Sequence, residues 1–229
     1  MSREFTDAEE GIVRALAVAN PDGLRALVDR LVLPTNMASV GASIAPTTAV
    51  AETSVAIPAS CQYVPLEGLN SSALVVGQAY SQKGEFFGRY LGKFDLGNGV
   101  GEKPIFVVEL TRENLTFNQT VKARGELPNG YVADPYTYDA RQGLREGKEA
   151  IATVDMLKAA YREQSKFLEV VGGKIQKMFK KAGWILSSSP PPDYPSYVSF
   201  VAFRHGVVGW GFKDVIRAPS VVVRAALTL

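Results

Sequence analysis

The sequence predicts an α+β fold on three observations. Helical periodicity opens the chain and returns in its second half, β-branched and aromatic runs bounded by Gly, Asn and Pro fill the middle, and two turn-linked strand patterns lie towards the end. The expected order is a helical segment over 1–33, an extended arm over 34–60, and an α+β body over 61–229. That body is expected to be an antiparallel β structure, sandwich or jelly-roll-like, with a helical insertion over 141–185 and a C-terminal β-hairpin. A chain of 229 residues that is 46% hydrophobic supplies enough apolar surface for a substantial core.

The first segment reads as a helical hairpin. Thr6 and Glu9 form a capping-box pattern ahead of the stripe Ile12, Val13, Leu16 and Ala19. Asn20-Pro21 restarts the helix, with Leu24, Leu27, Val28 and Leu31 at helical spacing before Pro34 stops it. From Pro34 to Ser60 the only charged residue is Glu52, and Val40, Ile44, Val50, Val55 and Ile57 are apolar enough to need a covering surface. These five residues are the candidate self-association positions.

Four strands are expected next, over Ala73–Ser81, Glu85–Phe94, Pro104–Thr111 and Leu115–Gly125, with Asn98-Gly99 as a hairpin turn between the second and third. The insertion follows as helix. Ile151, Val154, Leu157 and Tyr161 mark one stripe, and Leu168, Val171, Ile175, Met178 and Phe179 mark another, interrupted by Gly172-Gly173. Lys174, Lys177 and Lys181 share a helical face with Lys180 beside them. These lysines, with Arg204, are the candidate nucleic-acid contacts. After the stiff connector "SSSPPPDYP", strands are expected over Tyr197–Phe203 and Val207–Phe212, then a final apolar segment, "SVVVRAALTL".

Charge is unevenly spread. Residues 148–229 carry 12 basic and 6 acidic groups, a local excess of +6 in a chain whose net charge is +2.

The chemical inventory is thin. One cysteine, Cys61, and one histidine, His205, do not make a disulfide framework or the usual zinc ligand set. A Cys61–His205 nucleophile pair lacks any local context that supports it, and the inert buried thiol is preferred. "GNGVGEK" fits no phosphate-loop spacing and is explained by a hairpin. Glu109 with Glu113, and Asp134 with Asp139, have the spacing of paired carboxylates but read as solvated surface. No catalytic residue, metal or cofactor is expected. No window is long and apolar enough to span a bilayer, and no secretion signal is expected.

In "FRHGVVGWGF", Arg204-His205-Gly206 can form a turn, and Gly209 and Gly211 alternate with Val208, Trp210 and Phe212. That alternation predicts one strand face left bare for close approach and another able to bury Trp210. Gly206, Val208, Gly209 and Gly211, followed by Pro219 and Arg224-Ala225, resemble the RNA-binding segment of the small-subunit ribosomal protein family S-five. The resemblance covers about 30 residues and implies a strand pair leading through proline into a helix on RNA. The chain lacks the glycine and lysine that family carries after the aromatic.

The expectation is a non-enzymatic structural protein of a large assembly, a viral or phage particle component such as a capsid or tail protein. Its partners would be copies of itself or other subunits, and its place the virion or host cytoplasm. The alternative is an RNA-binding module using the basic C-terminal third.

Overall fold

A computed structural model describes residues 59–180, 182–191 and 193–229. The expected helical hairpin and the arm positions Val40, Ile44, Val50, Val55 and Ile57 lie outside the described residues, as does Lys181.

The elements in chain order are β1 Val64–Pro65, β2 Ala79–Gln82, β3 Glu85–Asp95, β4 Glu102–Leu110, β5 Leu115–Thr116, α1 Phe117–Gly125, α2 Ala140–Arg145, β6 Ala150–Ile151, α3 Val154–Arg162, β7 Leu168–Val171, β8 Lys174–Lys177, β9 Trp184–Leu186, β10 Tyr197–Ala202, β11 Val208–Phe212, β12 Arg217–Ala218 and β13 Val221–Ala225. Six strands form one sheet in the order β1-β2-β3-β4-β13-β6. Three form a second, β11-β10-β9, and β12-β5 and β7-β8 are two-stranded ribbons.

The α+β expectation is overturned. The described residues are mostly β, and their three α-helices are 9, 6 and 9 residues long. The expected antiparallel body is also corrected, since β1 runs parallel to β2 while the other strand pairs of the large sheet are antiparallel.

The largest correction falls on the helical insertion. Over 141–185 the chain makes α2, β6, α3, the β7–β8 ribbon and β9 instead of long helices. Gly172 and Gly173 both adopt positive φ, +56° and +73°, the backbone of a tight two-residue hairpin turn. They therefore reverse the chain and pair Val171 with Lys174. Met178 and Phe179, which fit a helical stripe, fold into the core as part of the turn after β8.

Leu115–Gly125 is a second correction: only Leu115–Thr116 is strand, and the rest is α1. The Thr116 hydroxyl accepts from the Gln119 N–H at 3.3 Å, and the Gln119 amide oxygen accepts from the Thr116 N–H at 3.0 Å. This reciprocal cap overrides the β preference of the residues around it. Asn98 and Gly99, with φ +51° and +75°, make the turn joining β3 to β4.

The main core lies where β3, β4 and β13 meet α1, α2, α3 and the strands β9 and β10, with Ile105, Val107, Leu144, Met156, Leu157, Phe167 and Val221 fully buried. On the other face of the large sheet, Phe106 is fully buried among Tyr80, Phe87 and Tyr90 at ring separations of 5.0–5.7 Å. Beside this sheet the buried Glu149 pairs with both Arg124 and Arg224, and Arg124 also binds Glu109 at 2.6 Å. The Arg224 guanidinium lies 5.1 Å from the Phe87 ring centroid, so the ion-pair network is packed against the aromatic cluster.

Candidate interaction surface

The β10–β11 hairpin is set by its turn. The Ala202 carbonyl accepts from the His205 N–H at 3.2 Å and the Gly206 N–H at 2.7 Å, and Gly206 adopts φ +67°. A side chain at Gly206 would also strike the Tyr161 ring, whose Cε1 lies 2.5 Å from the position of a Cβ. His205 and Arg204 are exposed turn residues.

Register then assigns every side chain of β11 to a face. Tyr197 opposes Phe212, Ser199 opposes Trp210 and Val201 opposes Val208 on one face; Val198 opposes Gly211 and Phe200 opposes Gly209 on the other. The glycine face is not bare. Phe200 lies over Gly209 and Ile216 over Gly211, so that a Cβ would sit 2.5 Å and 2.4 Å from them. The two glycines are filled from within the fold.

The opposite face is the exposed one, contrary to the expectation that it buries Trp210. Val208, Trp210 and Phe212 keep 39%, 53% and 48% of their surface exposed. Tyr194 extends this row, 54% exposed with its ring 6.4 Å from Trp210, and Tyr197 stacks at 4.3 Å on Phe212. On the glycine side, Trp184 meets Phe200 edge-on at 4.6 Å and is 49% exposed.

The backbone of β11 is open as well. The Ala202 N–H donates to the Val207 carbonyl and the Lys213 N–H to the Ser196 carbonyl, which fixes odd-numbered residues as those bonded to β10. The N–H and C=O groups of Val208 and Trp210 therefore point outward from an edge strand whose only strand partner among the described residues is β10.

Lys213 holds the far end of the strand. It is 3% exposed, donates to the Pro135 carbonyl at 2.8 Å, and lies 5.4 Å and 5.5 Å from the Phe117 and Tyr136 ring centroids. Burial pushes its ammonium below the ordinary lysine value, an effect Asp134 opposes. Sequence reading missed it because a lysine beside an exposed strand looks like surface. The aromatic neighbours Tyr194 and Tyr197 were equally hidden, by the proline-rich run around them.

The remaining candidates do not gather into one site. Lys174 and Lys177 are exposed on β8, and three residues apart on a strand they face opposite ways. Lys180 is exposed in the following turn, so the shared basic face that a helix would have given these lysines does not form. Glu109 is committed to Arg124, Asp139 caps α2 through the Arg141 N–H, and Asp134 accepts from the Tyr136 N–H. Cys61 lines a cavity of about 260 Å³ with Tyr63, Phe86, Arg89, Glu169 and Met178; His205 is not in its wall. The Arg89 guanidinium there is 6% exposed and donates to the Ser60 and Gly77 carbonyls. Among the described residues no three His, Cys, Asp or Glu side chains stand close enough to share a metal ion, and no helix is long and apolar enough to cross a membrane.

No protein-family model matches the chain, and no curated protein matches it in sequence. The segment likened to a ribosomal RNA-binding element departs from it in structure as well, since Val221–Ala225 after Pro219 is a strand inside the large sheet where that family has a helix.

Proposed function

We propose that the chain is a non-enzymatic structural subunit of a large self-associating assembly, of the kind found in a viral or phage particle, and that it acts in the virion or the host cytoplasm. The observation that supports this reading most is the open edge of β11, where half-exposed Val208, Trp210 and Phe212 line a strand with outward backbone groups. A row of this kind costs solubility in a lone molecule and is stabilised when another chain covers it. The nearly uncharged segment from Pro34 to Ser60 supports the same reading. Light scattering after size exclusion across a wide concentration range, with electron microscopy of the concentrated protein, is the test. Oligomers or particles are expected, and a monomer at every concentration overturns the proposal.

The alternative, an RNA-binding module, draws on the +6 excess of residues 148–229 and on the exposed Lys174, Lys177, Lys180 and Arg204. Filter binding to RNA at two salt concentrations tests it. Affinity that falls steeply with salt and with charge reversal of these residues favours it, and negligible binding at low salt removes it.

A further inference from the structure

We infer that β11 pairs with β11 of a second copy, antiparallel about a two-fold axis at Trp210, joining the two three-stranded sheets into one of six strands. The inference rests on the self-association reading and names the surface and partner.

The backbone restricts the register. Even-numbered residues of β11 point outward, through both backbone groups at Val208 and Trp210 and through the N–H at Phe212, whose carbonyl already accepts from the Val215 and Ile216 N–H groups, so an antiparallel partner must bring even residues opposite even residues. A two-fold centred on Trp210 overlaps the two strands over their full length, setting Trp210 opposite Trp210 with both bonds exchanged and Val208 opposite Phe212 twice, each time with the Phe212 N–H donating to the Val208 carbonyl. Centring it on any other residue of β11, Gly209 and Gly211 included, leaves part of each strand beyond the end of its mate. The side chains agree with this register. Val208, Trp210 and Phe212 share one face, so pairing sets six apolar side chains in a row of direct cross-strand neighbours.

The strand also lacks what keeps edges apart. Val208–Phe212 contains no lysine, proline or inward-pointing charge.

Charge selects a second copy over an arbitrary strand. Exposed Arg204 and His205 lie before β11 and exposed Asp214 just after it. In the antiparallel register Gly206 of one copy stands opposite Asp214 of the other, bringing the basic turn of each beside the carboxylate of its mate. A parallel arrangement stacks like charges at both ends.

The test is a cysteine cross-link. Trp210→Cys in a Cys61→Ser background places one thiol per chain at the axis, where directly hydrogen-bonded partners have Cα atoms about 5.5 Å apart, within disulfide reach. Mild oxidation is expected to convert the protein to a covalent dimer, whereas Val132→Cys, an exposed position on another part of the molecule, is expected not to. In sedimentation, Trp210→Glu and Asp214→Arg are each expected to raise the dissociation constant about tenfold or more. Asp214→Arg combined with Arg204→Asp and His205→Asp is expected to restore association. Circular dichroism and thermal melting establish that each variant is folded.

If the unmodified protein is monomeric throughout, both this inference and the self-association reading are overturned. If it associates but Trp210→Cys forms no cross-link and Trp210→Glu and Asp214→Arg leave its size unchanged, the β11 interface alone is overturned and assembly uses another surface. If Trp210→Glu instead abolishes binding of a uridine homopolymer without changing oligomer size, the aromatic row is a stacking platform for nucleic acid and the pairing is overturned.

Discussion

In the six-stranded sheet Phe106 is fully buried among Tyr80, Phe87 and Tyr90, while in the β9–β11 sheet Trp184, Trp210 and Phe212 are each about half exposed. Both sheets are rich in aromatic residues, so composition does not separate them. Position does: Phe106 lies on β4, enclosed by β3 and β13, and Trp210 lies on a strand with one strand neighbour among the described residues. The large sheet uses its aromatics for folding, and the small one leaves its own half exposed.

Breaking the ion-pair network beside the large sheet should cost most. Glu149→Ala leaves the largely buried Arg124 and Arg224 guanidinium groups without their shared carboxylate, and about 3–5 kcal/mol of stability is expected to be lost in urea denaturation. Phe106→Ala opens a cavity at the centre of the aromatic cluster and should cost a similar ~3–5 kcal/mol.

A smaller effect comes from pH. Burial raises the Tyr138 phenol above the ordinary value of 10.0, although the Ile151 N–H donated to its oxygen opposes this; burial raises Tyr131 and Tyr90 as well. A folded pKa above the unfolded one gives stability that is complete below the unfolded value and lost as pH rises above it. Stability should therefore fall above about pH 10, and Tyr138→Phe should flatten that fall in denaturation curves at about pH 8 and about pH 11.

In the small sheet Gly209→Ala drives a methyl into the Phe200 ring and should cost about 1–3 kcal/mol. The smallest stability effect is expected from Trp210→Ser, within about 0.5 kcal/mol of the parent, because the ring is half outside the fold. Association measured on the same samples should nonetheless fall. If Trp210→Ser destabilises as much as Phe106→Ala, the contrast between the two sheets disappears.

Local signals in the sequence read well where neighbours decided the outcome. Strands β3 and β4 follow their β-branched and aromatic runs, and Asn98-Gly99 turns between them. Where two periodicities competed, the stronger local device prevailed. Gly172-Gly173 is a hairpin turn, and lysines that fit a helical face are divided between the faces of a strand. The Thr116–Gln119 cap was a readable sign of α1 that the surrounding Leu, Phe and Val obscured. Strand order was out of reach, because the pairing of β13 with β4 and β6 depends on residues far apart in the chain. At the candidate surface the alternation of Gly209 and Gly211 with Trp210 and Phe212 was visible. Which face would be covered depended on Phe200 and Ile216, and alternation alone carries no information about either.

The place of β13 has a consequence for how the chain folds. It lies between β4 and β6 yet follows both in the chain, so each of those strands keeps an open edge until Val221–Ala225 is laid between them. The β10–β11 hairpin is closed by a short turn and such hairpins form in microseconds, whereas β13 must find strands far back in the chain, so β10 and β11 can pair before β13 takes its place. The folding chain then displays the aromatic row of β11 while its main sheet is still divided, and that sheet is closed from its interior.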